Sequence, residues 1–351
     1  MLYNVKSIVV IWGNTYMVSM KDIASKCKVS VATVSKALND HSDISQEKKL
    51  LIKETAKQMG YFPNSAARAL KTNRTYNIGV LFVDDANSGL THEYFANVLE
   101  GFKVEAEKNG YDITFINHRI GVRTMSYYEH CMYRGVDGVV IACVNFSHPE
   151  VIELINSDLP VVTIDHIFNN RIAVISDNVK GMHDLVKYVY KAGHRKIAYI
   201  HGADSSVTTD RLASFYRTLE ELNVEVPDEY IREAAYHDTQ KAEEITRELL
   251  QLKDSPTCIF YPDDFACIGG INVIKEFGYR IPEDVSVVGY DGLTISDVLE
   301  PKLTTLKQDT TRLGREAAAH LVNLIEKPRT ALIERVVVAG KIQLGKSVKE
   351  I

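Results

Sequence analysis

Between residues 21 and 60, apolar side chains recur at the three- and four-residue spacings of short amphipathic helices. Two sets each share one helix face: Ile23, Ala24 and Cys27, then Val34, Ala37 and Leu38. Ser30 lies between the two sets and is a good N-cap for the second helix. Because two short helices joined by so brief a turn must cross steeply, the pattern predicts a helix-turn-helix.

A third helix is predicted from the N-cap Ser45 to Gly60. We expect its apolar surface to consist of Leu50, Leu51, Ile52 and Met59, and its polar face to carry Lys48, Lys49, Lys53 and Lys57. Pro63 ends this helix, and an alanine-rich stretch follows at residues 64–70. A helix that short is marginal in water, so we expect it to fold only against a surface.

From residue 77 onward the pattern changes to apolar runs that alternate with helical stretches. The runs are residues 78–83, 112–116, 138–142, 160–164, 196–200, 257–261 and 285–290. Alternating strands and helices predict parallel sheets with helices on both faces. The number of strands predicts two such sheets.

Carboxylates follow four of these predicted strands: Asp84–Asp85, Asp165, Asp263–Asp264 and Asp291. Ligands of doubly wound sheets bind beyond the carboxyl ends of the strands. For any one aspartate, capping of the next helix is an alternative role. The four together favour a binding site for a ligand rich in hydroxyl donors.

Charge is distributed unevenly along the 351 residues, whose net charge is −5. Residues 17–75 carry eleven basic and five acidic side chains, whereas residues 76–351 carry twenty-nine basic and forty-one acidic ones. A basic head on an acidic body indicates polyanion binding at one end. Charge alone would fit an ordinary solvated helical surface equally well, and the helix-turn-helix pattern decides for nucleic acid.

Several classes of protein are disfavoured. The five cysteines are scattered and form no CxxC pair, which argues against a disulfide framework or a zinc site and favours the cytoplasm. There is no apolar membrane span, no dinucleotide or phosphate loop and no nucleophile elbow, so we expect no enzyme and no cofactor. Residues 1–16 lack the features of a signal peptide, and we interpret them as a non-native or disordered extension before Met17.

The run KDIASKCKVSVATVSKALN at residues 21–39, with residues 44–70, resembles the headpiece and hinge of the LacI/GalR (lactose-repressor) family. The resemblance implies that Val31, Ala32 and Lys36 read base edges in the major groove and that Thr33 and Ser35 hold phosphates. The implied hinge contacts to DNA are Asn64, Ala67, Arg68 and Leu70. Leu70 matches the family's hinge leucine, which wedges into the minor groove.

The chain departs from the family pattern at three places. Lys28 stands where a turn glycine is common, so a non-glycine residue must tolerate a left-handed conformation there. Lys48–Lys49 replaces the usual Thr-Arg, which keeps positive charge but loses a bidentate fork. His166 stands where ligand-binding relatives often carry arginine, which weakens any inference about the ligand.

The body resembles the periplasmic-binding-protein-like effector domain of the same family, in segments such as AGHRKIAYIHG at 192–202 and IPEDVSVVGYDG at 281–292. This resemblance implies polar effector contacts from Arg211 and Asp291 first, then from Asp264 and Asp165. Four aromatic side chains match pocket-lining positions: Tyr94, Phe95, Tyr236 and Phe265.

We therefore expect an α/β protein with a three-helix headpiece and a two-lobed body of parallel, doubly wound sheets. The expected divisions are a headpiece at 17–62, a hinge and linker at 63–76, and an effector-binding and dimerisation domain at 77–351. One lobe would comprise 77–177 with 306–329, and the other 178–305 with 330–351. No C-terminal leucine heptad follows the body, which favours a homodimer.

The expected function is an operator-binding transcriptional regulator, most simply a repressor, that is switched by a sugar or a sugar phosphate. A purine, a nucleoside or a phosphocarrier protein is an alternative effector, and a solute-binding protein is a remote alternative function. The sequence leaves open whether the effector induces or corepresses.

Overall fold

The computed structural model of the chain describes residues 18–62, 69, 74–83 and 89–351. The chain divides into two compact units, one that ends at Thr75 and one formed by Tyr76–Ile351. We call the first unit the headpiece and the second the body.

Three helices form the headpiece: α1 (Met20–Cys27), α2 (Val31–Leu38) and α3 (Gln46–Gln58). They enclose a small apolar core made of Ile23, Ala24, Val34, Ala37, Ile52 and Ala56. The apolar faces predicted for α1 and α2 supply four of these six residues. The helix-turn-helix prediction is therefore confirmed.

The turn between α1 and α2 has the predicted local chemistry. Ser30 caps α2, because its Oγ accepts a hydrogen bond of 3.0 Å from the backbone N–H of Thr33. Lys28 has a φ of 53°, the left-handed conformation expected where relatives have glycine. The chain thus accepts about 1 kcal/mol of local backbone strain to make this turn.

The predicted apolar face of α3 was partly wrong. Leu50 and Leu51 are 61% and 53% exposed, whereas Lys49 is only 6% exposed. The helical period places Lys49 on the same face as Ile52 and Ala56, and the lysine buries its aliphatic stem there. Its ammonium leaves the core and donates to a backbone carbonyl of the α2–α3 turn.

The body contains nine further helices among the described residues. They are α4 (Glu93–Lys108), α5 (Tyr127–Arg134), α6 (Pro149–Asn156), α7 (Asn178–Lys191), α8 (Ser206–Glu221), α9 (Thr239–Gln251), α10 (Asp264–Glu276), α11 (Thr294–Val298) and α12 (Thr310–Glu326).

Two six-stranded sheets define the two lobes of the body. The strands of the body are β1 (Asn77–Phe82), β2 (Asp112–Ile116), β3 (Arg119–Ile120), β4 (Arg123–Thr124), β5 (Gly138–Cys143), β6 (Val161–Ile164), β7 (Ile172–Ser176), β8 (Ile197–His201), β9 (Ile231–Glu233), β10 (Cys258–Phe260), β11 (Ser286–Asp291), β12 (Thr304–Lys307), β13 (Arg335–Val338) and β14 (Lys341–Gln343). Strands β3 and β4 form a separate two-stranded antiparallel sheet, and the other twelve form the two large sheets. The first sheet is parallel throughout, in the order β13-β7-β6-β5-β1-β2. The second has the order β14-β12-β11-β10-β8-β9, and only β14 is antiparallel. Each of the seven predicted apolar runs overlaps one of these strands.

One predicted lobe boundary needs correction. Residues 330–351 were assigned to the second lobe, but β13 within them extends the first sheet. Its valines pair in parallel with β7, where Val336 lies opposite Val174. Strand β13 therefore forms an edge of the first sheet. The chain then returns to the second sheet, where β14 pairs with β12.

Helix α12 packs against α4 through two glycines. A Cβ on Gly314 would lie 1.9 Å from the carbonyl oxygen of Val98, and a Cβ on Gly101 would lie 2.2 Å from that of Thr311. Both helices therefore need glycine for their backbones to approach so closely. This contact fixes α12 on the first sheet although the chain reaches it from the second.

Within the described ranges, no helix has both the length and the apolar character needed to cross a bilayer. The same part of the chain has no group of three or more His, Cys, Asp or Glu side chains placed to hold a metal ion. All five cysteines are free thiols.

Gly314→Ala should lower the free energy of unfolding by about 1 to 3 kcal/mol, because the added methyl group would push α12 away from α4. Urea unfolding of the intact protein measures this change. Arg315→Ala, at an exposed position of the same helix, is the control and should have little effect. Equal stability of Gly314→Ala and the wild type would show that α4 and α12 do not approach this closely.

Candidate functional site

Helix α2 presents a polar, exposed face beside its buried one. Val34 and Ala37 are buried in the headpiece core, whereas Val31, Ala32 and Lys36 are exposed. An exposed second helix with free residues at its start is the element that a helix-turn-helix places in the major groove. The structure thus places the three proposed base-reading residues together at the surface.

The two proposed phosphate-binding residues lie beside that face and are half-buried. The Oγ1 of Thr33 is 2.9 Å from Ser30 Oγ, so the hydroxyl is held near the helix N-terminus. Ser35 accepts a hydrogen bond of 2.7 Å through its backbone carbonyl from the side chain of Asn39. The four proposed hinge residues, Asn64, Ala67, Arg68 and Leu70, lie outside the described residues and their roles stay predictions.

In the body, the carboxyl ends of the strands bring together a buried arginine and several acids. Arg211 projects from α8 and is only 3% exposed. Its Nε donates to Asn178 Oδ1 at 2.8 Å, and its Nη1 donates to the carbonyl oxygen of Pro262 at 3.1 Å. Its Cζ lies 3.5 Å above the ring centre of Tyr290. These contacts fix the guanidinium in one orientation.

Asp291 faces this guanidinium from the end of β11. Its Oδ1 is 3.8 Å from Arg211 Nη2 and accepts a hydrogen bond of 2.7 Å from Gln308 Nε2. Burial raises the pKa of Asp291 to about 6, although the nearby arginine opposes the shift. The carboxylate is therefore ionised at neutral pH and titrates within an accessible range.

A second acid, Asp165, directly follows β6 in the first lobe and has a φ of 56°. Tyr94 donates its hydroxyl to Asp165 Oδ2 at 2.6 Å, and the backbone N–H of Ser176 donates to Oδ1 at 2.9 Å. Burial raises the pKa of Asp165, and Arg211 acts on it in the opposite direction. The acid is thus within the field of Arg211, which belongs to the second lobe.

The side chain of Asp264 forms hydrogen bonds that hold neighbouring segments of the second lobe together. It is fully buried, its Oδ1 accepts from Thr305 Oγ1 at 2.6 Å, and its Oδ2 accepts from the N–H of Leu293 at 2.7 Å. Neighbouring Asp263 caps α10, because its Oδ1 accepts from the N–H of Ala266 at 2.8 Å. Helix capping, the alternative to ligand binding for a strand-end aspartate, therefore describes Asp263.

Besides Tyr94, which donates to Asp165, the predicted aromatic residues lie at two places: Tyr236 near Arg211, and Phe95 and Phe265 near a pair of histidines. Tyr236 lies beside Arg211, with its ring centre 5.9 Å from the guanidinium carbon, and its hydroxyl is 2.8 Å from Thr208 Oγ1. Phe95 and Phe265 lie on opposite lobes and are joined by two histidines.

Those two histidines were not predicted. His92 stacks on His237 across the cleft with ring centres 3.9 Å apart. Phe95 contacts His92 at 5.0 Å, and Phe265 stacks on His237 at 4.9 Å with an angle of 10° between the rings. Helical and strand periodicity carry no signal for such residues, because both lie in loops.

Gln308 and Asn178 were also missed, although both contact the Arg211–Asp291 pair. Gln308 is 7% exposed, and its Oε1 is buried with no hydrogen-bond partner in the described structure. A buried unpaired acceptor beside a cleft is suited to a ligand donor. The only sequence signal is that Gln308 directly follows β12, as the acids follow their strands.

His166, the position that departs from the family pattern, lies in an aromatic cluster. Its ring stacks on Phe146 with centres 4.2 Å apart and contacts Phe168 at 4.8 Å. Ser206, at the start of α8, donates its hydroxyl to the backbone oxygen of Asp165 at 3.0 Å. The two lobes are therefore in contact on this side of the cleft as well.

Comparison with known proteins assigns both units. Residues 19–64 match the model of bacterial regulatory proteins of the lacI family, and residues 186–348 match a periplasmic binding protein-like domain. The HTH-type transcriptional repressor PurR of Mannheimia succiniciproducens is 30% identical over 341 residues, which cover 95% of this chain and 100% of that protein. The chain belongs to the LacI family.

Other relatives agree with this LacI-family assignment. The probable HTH-type transcriptional repressor ExuR of Bacillus subtilis is 28% identical, covering 90% of this chain and 93% of that protein. A lac repressor dimer bound to operator and the anti-inducer ONPF has the same fold, with a TM-score of 0.78 at 24% identity, covering 95% of this chain and 99% of that one. A complex of the regulator CelR with cellobiose has a TM-score of 0.69 at 24% identity, with coverages of 94% and 99%.

The LacI-family chain is thus a DNA-binding transcriptional regulator with a two-lobed, periplasmic-binding-protein-like body, as predicted. The first matched segment lies within the headpiece unit, and the second lies within the body.

Asp264→Ala should lower the free energy of unfolding by about 2 to 4 kcal/mol, because it leaves the buried donors of Leu293 and Thr305 unpaired. Urea unfolding followed by circular dichroism measures the loss. Asp264→Asn, which keeps one acceptor oxygen, should lose less stability. A stable Asp264→Ala protein that has lost only its response to effector would show that this aspartate binds ligand.

Proposed function

We propose that this regulator is a repressor whose homodimer binds a two-fold operator and whose operator affinity is switched by a small molecule held between the two lobes. The observation that carries the effector site is the buried Arg211, which faces Asp291 at the carboxyl ends of the strands. The family assignment and the exposed face of α2 support the operator-binding part.

On the DNA side, α2 enters the major groove with Val31 and Ala32 leading. These two residues offer apolar contact, for example to a thymine methyl group, and Lys36 donates to guanine O6 or N7. Thr33 and Ser35 hold phosphates and set the register. In the hinge, Asn64, Ala67, Arg68 and Leu70 contact the centre of the operator, where Leu70 wedges the minor groove. Two headpieces on adjacent half-sites require a dimer.

On the effector side, a polyhydroxylated ring fits the available groups best. The second oxygen of Asp291 and the Oε1 of Gln308 accept hydroxyl hydrogens, and Arg211 Nη2 donates. Asp165, held by Tyr94, supplies a further acceptor from the first lobe. Tyr236, Phe95 and Phe265 provide apolar ring faces. A sugar or sugar phosphate is therefore the proposed effector class.

Contacts across the cleft provide the coupling between effector and DNA. Glu93 of the first lobe accepts hydrogen bonds of 2.8 and 2.6 Å from the N–H and hydroxyl of Thr294 in the second. The His92–His237 stack and the Ser206–Asp165 hydrogen bond also span the lobes. An effector that changes these contacts changes the lobe arrangement, and with it the spacing of the hinge segments in the dimer.

The alternative effectors and functions would use different groups of the protein. A purine or nucleoside would use the stacked rings at His237 and Phe265, and a phosphocarrier protein would bind the surface and leave the cleft unused. A solute-binding protein would not need the basic headpiece. We propose a cytoplasmic, non-catalytic protein, because operator binding and ligand sensing account for the groups described.

The test is operator binding by fluorescence anisotropy on a selected pseudo-palindromic duplex at several salt concentrations. The panel comprises sugars, sugar phosphates, purines and nucleosides. A steep salt dependence with a shift caused by a sugar supports the proposal. Tight operator binding that responds only to a purine or nucleoside would replace the effector class, and no preference for any duplex would overturn the function.

Asp291→Asn should weaken effector binding at least about tenfold, because the neutral amide loses a charge-assisted hydrogen bond. Calorimetry with the compound selected from the panel measures this loss. Operator affinity without effector should stay within about twofold of the wild type, as should all properties of the control Asp297→Asn, an exposed aspartate of the same lobe. Unchanged effector affinity in Asp291→Asn would remove this residue from the site.

Effector affinity should fall about tenfold per pH unit below about pH 6, the pKa of Asp291, and should be constant above about pH 7. The effector affinity falls at low pH because protonation removes the carboxylate that accepts the effector hydroxyl. Burial makes this protonation happen at a higher pH than for an ordinary aspartate. Calorimetric titrations between pH 5 and 8 measure the profile. The inflection should be missing in Asp291→Asn, and its persistence there would assign it to another group.

A further inference from the structure

The turn between α2 and α3 contains two aspartates, and each forms an ion pair with a lysine of a different helix. Asp43 pairs with Lys36, the proposed base-reading residue of α2. Asp40 accepts hydrogen bonds of 2.6 and 2.7 Å from Lys53 of α3. The headpiece therefore offers two similar pairs, of which only one involves the exposed face of α2.

The backbone of this turn brings Asp43 beside Lys36. Asp40 has a φ of 56°, and the N–H of His41 donates to the carbonyl oxygen of Lys36 at 3.0 Å. The chain thus doubles back past the last turn of α2 before α3 begins. The side chains of Lys36 and Asp43 remain 48% and 52% exposed, so the pair lies at the surface where DNA would approach.

A lysine on a DNA-facing helix has two kinds of target. Phosphates are numerous and carry a full charge, and a flexible ammonium binds them without regard to sequence. Base edges carry only partial charges but specify sequence. Without a further constraint, the electrostatic attraction therefore favours the phosphate.

Asp43 changes this balance. Its pairing with Lys36 lowers the pKa of the carboxyl group, so Asp43 is ionised at neutral pH. A carboxylate repels phosphates. Lys36 can therefore reach a phosphate only if its ammonium leaves Asp43 or if the Asp43 carboxylate moves with it toward the DNA backbone. An ammonium has three N–H donors. One can stay on Asp43 while the other two face guanine O6 and N7.

We propose that Asp43 is a specificity-determining positioning residue, which holds the Lys36 ammonium away from phosphates and available to a guanine edge. This inference rests on the proposed role of Lys36 in the major groove. Asp43 lowers affinity for DNA in general, and it preserves affinity for an operator that has guanine at the matching position. The result is a larger ratio of operator to non-specific affinity.

Asp43→Asn in the intact protein tests the proposal, and Asp40→Asn is the matched control. Anisotropy titrations would use the selected operator, the same operator with each guanine of the half-site replaced, and a random duplex of equal length. Asp43→Asn should bind the random duplex about three- to tenfold more tightly and the operator with little change. The slope of log affinity against log salt on the random duplex should steepen by about one.

Asp40→Asn should raise both affinities by a similar factor and leave their ratio unchanged, because Lys53 lies on α3. Melting curves should show that both asparagine variants are folded, since both aspartates are exposed. If Asp43→Asn, like Asp40→Asn, leaves the ratio of operator to random-duplex affinity and the guanine preference unchanged, the proposal is overturned.

Lys36→Met and the double variant Lys36→Met/Asp43→Asn show whether Asp43 acts through Lys36. Adding Asp43→Asn to Lys36→Met should leave the affinity ratio unchanged, whereas an independent effect of equal size would contradict a positioning role. If Lys36→Met keeps full guanine preference, Lys36 is not a base reader and the inference fails, while operator binding itself stands. Only a wild-type protein that shows no operator preference would remove the proposed function.

Discussion

The buried guanidinium of Arg211 is the constraint on which the cleft depends. A charge that is 97% removed from solvent is costly unless every neighbour compensates it. Asn178 at the start of α7, the Pro262 carbonyl after β10, the Tyr290 ring and Asp291 at the end of β11 provide that compensation. Three separate segments of the second lobe are therefore positioned by one side chain. We propose that Arg211 Nη2 and the second oxygen of Asp291 are the groups that contact the hydroxyl groups of a ligand.

The path of the chain is a second constraint, because it determines how the two lobes are connected. Helix α12 leaves the second sheet and packs on α4 of the first, where two glycines allow backbone contact. Helix α4 begins at Glu93, which binds Thr294 of the second lobe, and its first residues include Tyr94 and Phe95. Helix α4, whose backbone contacts α12 closely, thus carries a lobe-bridging side chain and two of the proposed effector-contacting residues. A ligand bound at the proposed site would therefore lie beside the contacts between the lobes.

Local chemistry explains which features the sequence could predict. The cap at Ser30, the left-handed Lys28 and the seven apolar strands depend on a few neighbouring residues, and all are present. The outward placement of Leu50 and Leu51 was missed, because the aliphatic stem of Lys49 takes the buried position. Strand β13 was placed in the wrong lobe, since its partner β7 is distant in sequence and itself was not predicted.

The candidate site also contains features that local sequence could predict and features that depend on contacts distant in sequence. Resemblance and strand-end position singled out Arg211, Asp291 and Asp165, and the structure places Arg211 close enough to oppose the rise that burial causes in the pKa of both acids. They could not separate Asp264, whose oxygens are both used inside the second lobe, from an acid that faces the cleft. His92 and His237 come from loops of different lobes, and only the folded arrangement shows that their rings stack.

We propose that effector binding in the body and operator binding by the headpiece are thermodynamically coupled. Calorimetry on the intact protein measures the effector affinity with and without saturating operator duplex. Thermodynamic linkage requires that operator change the effector affinity by the same factor by which effector changes the operator affinity, typically about 5- to 150-fold. Equal effector affinities with and without operator would show that the two sites are not coupled.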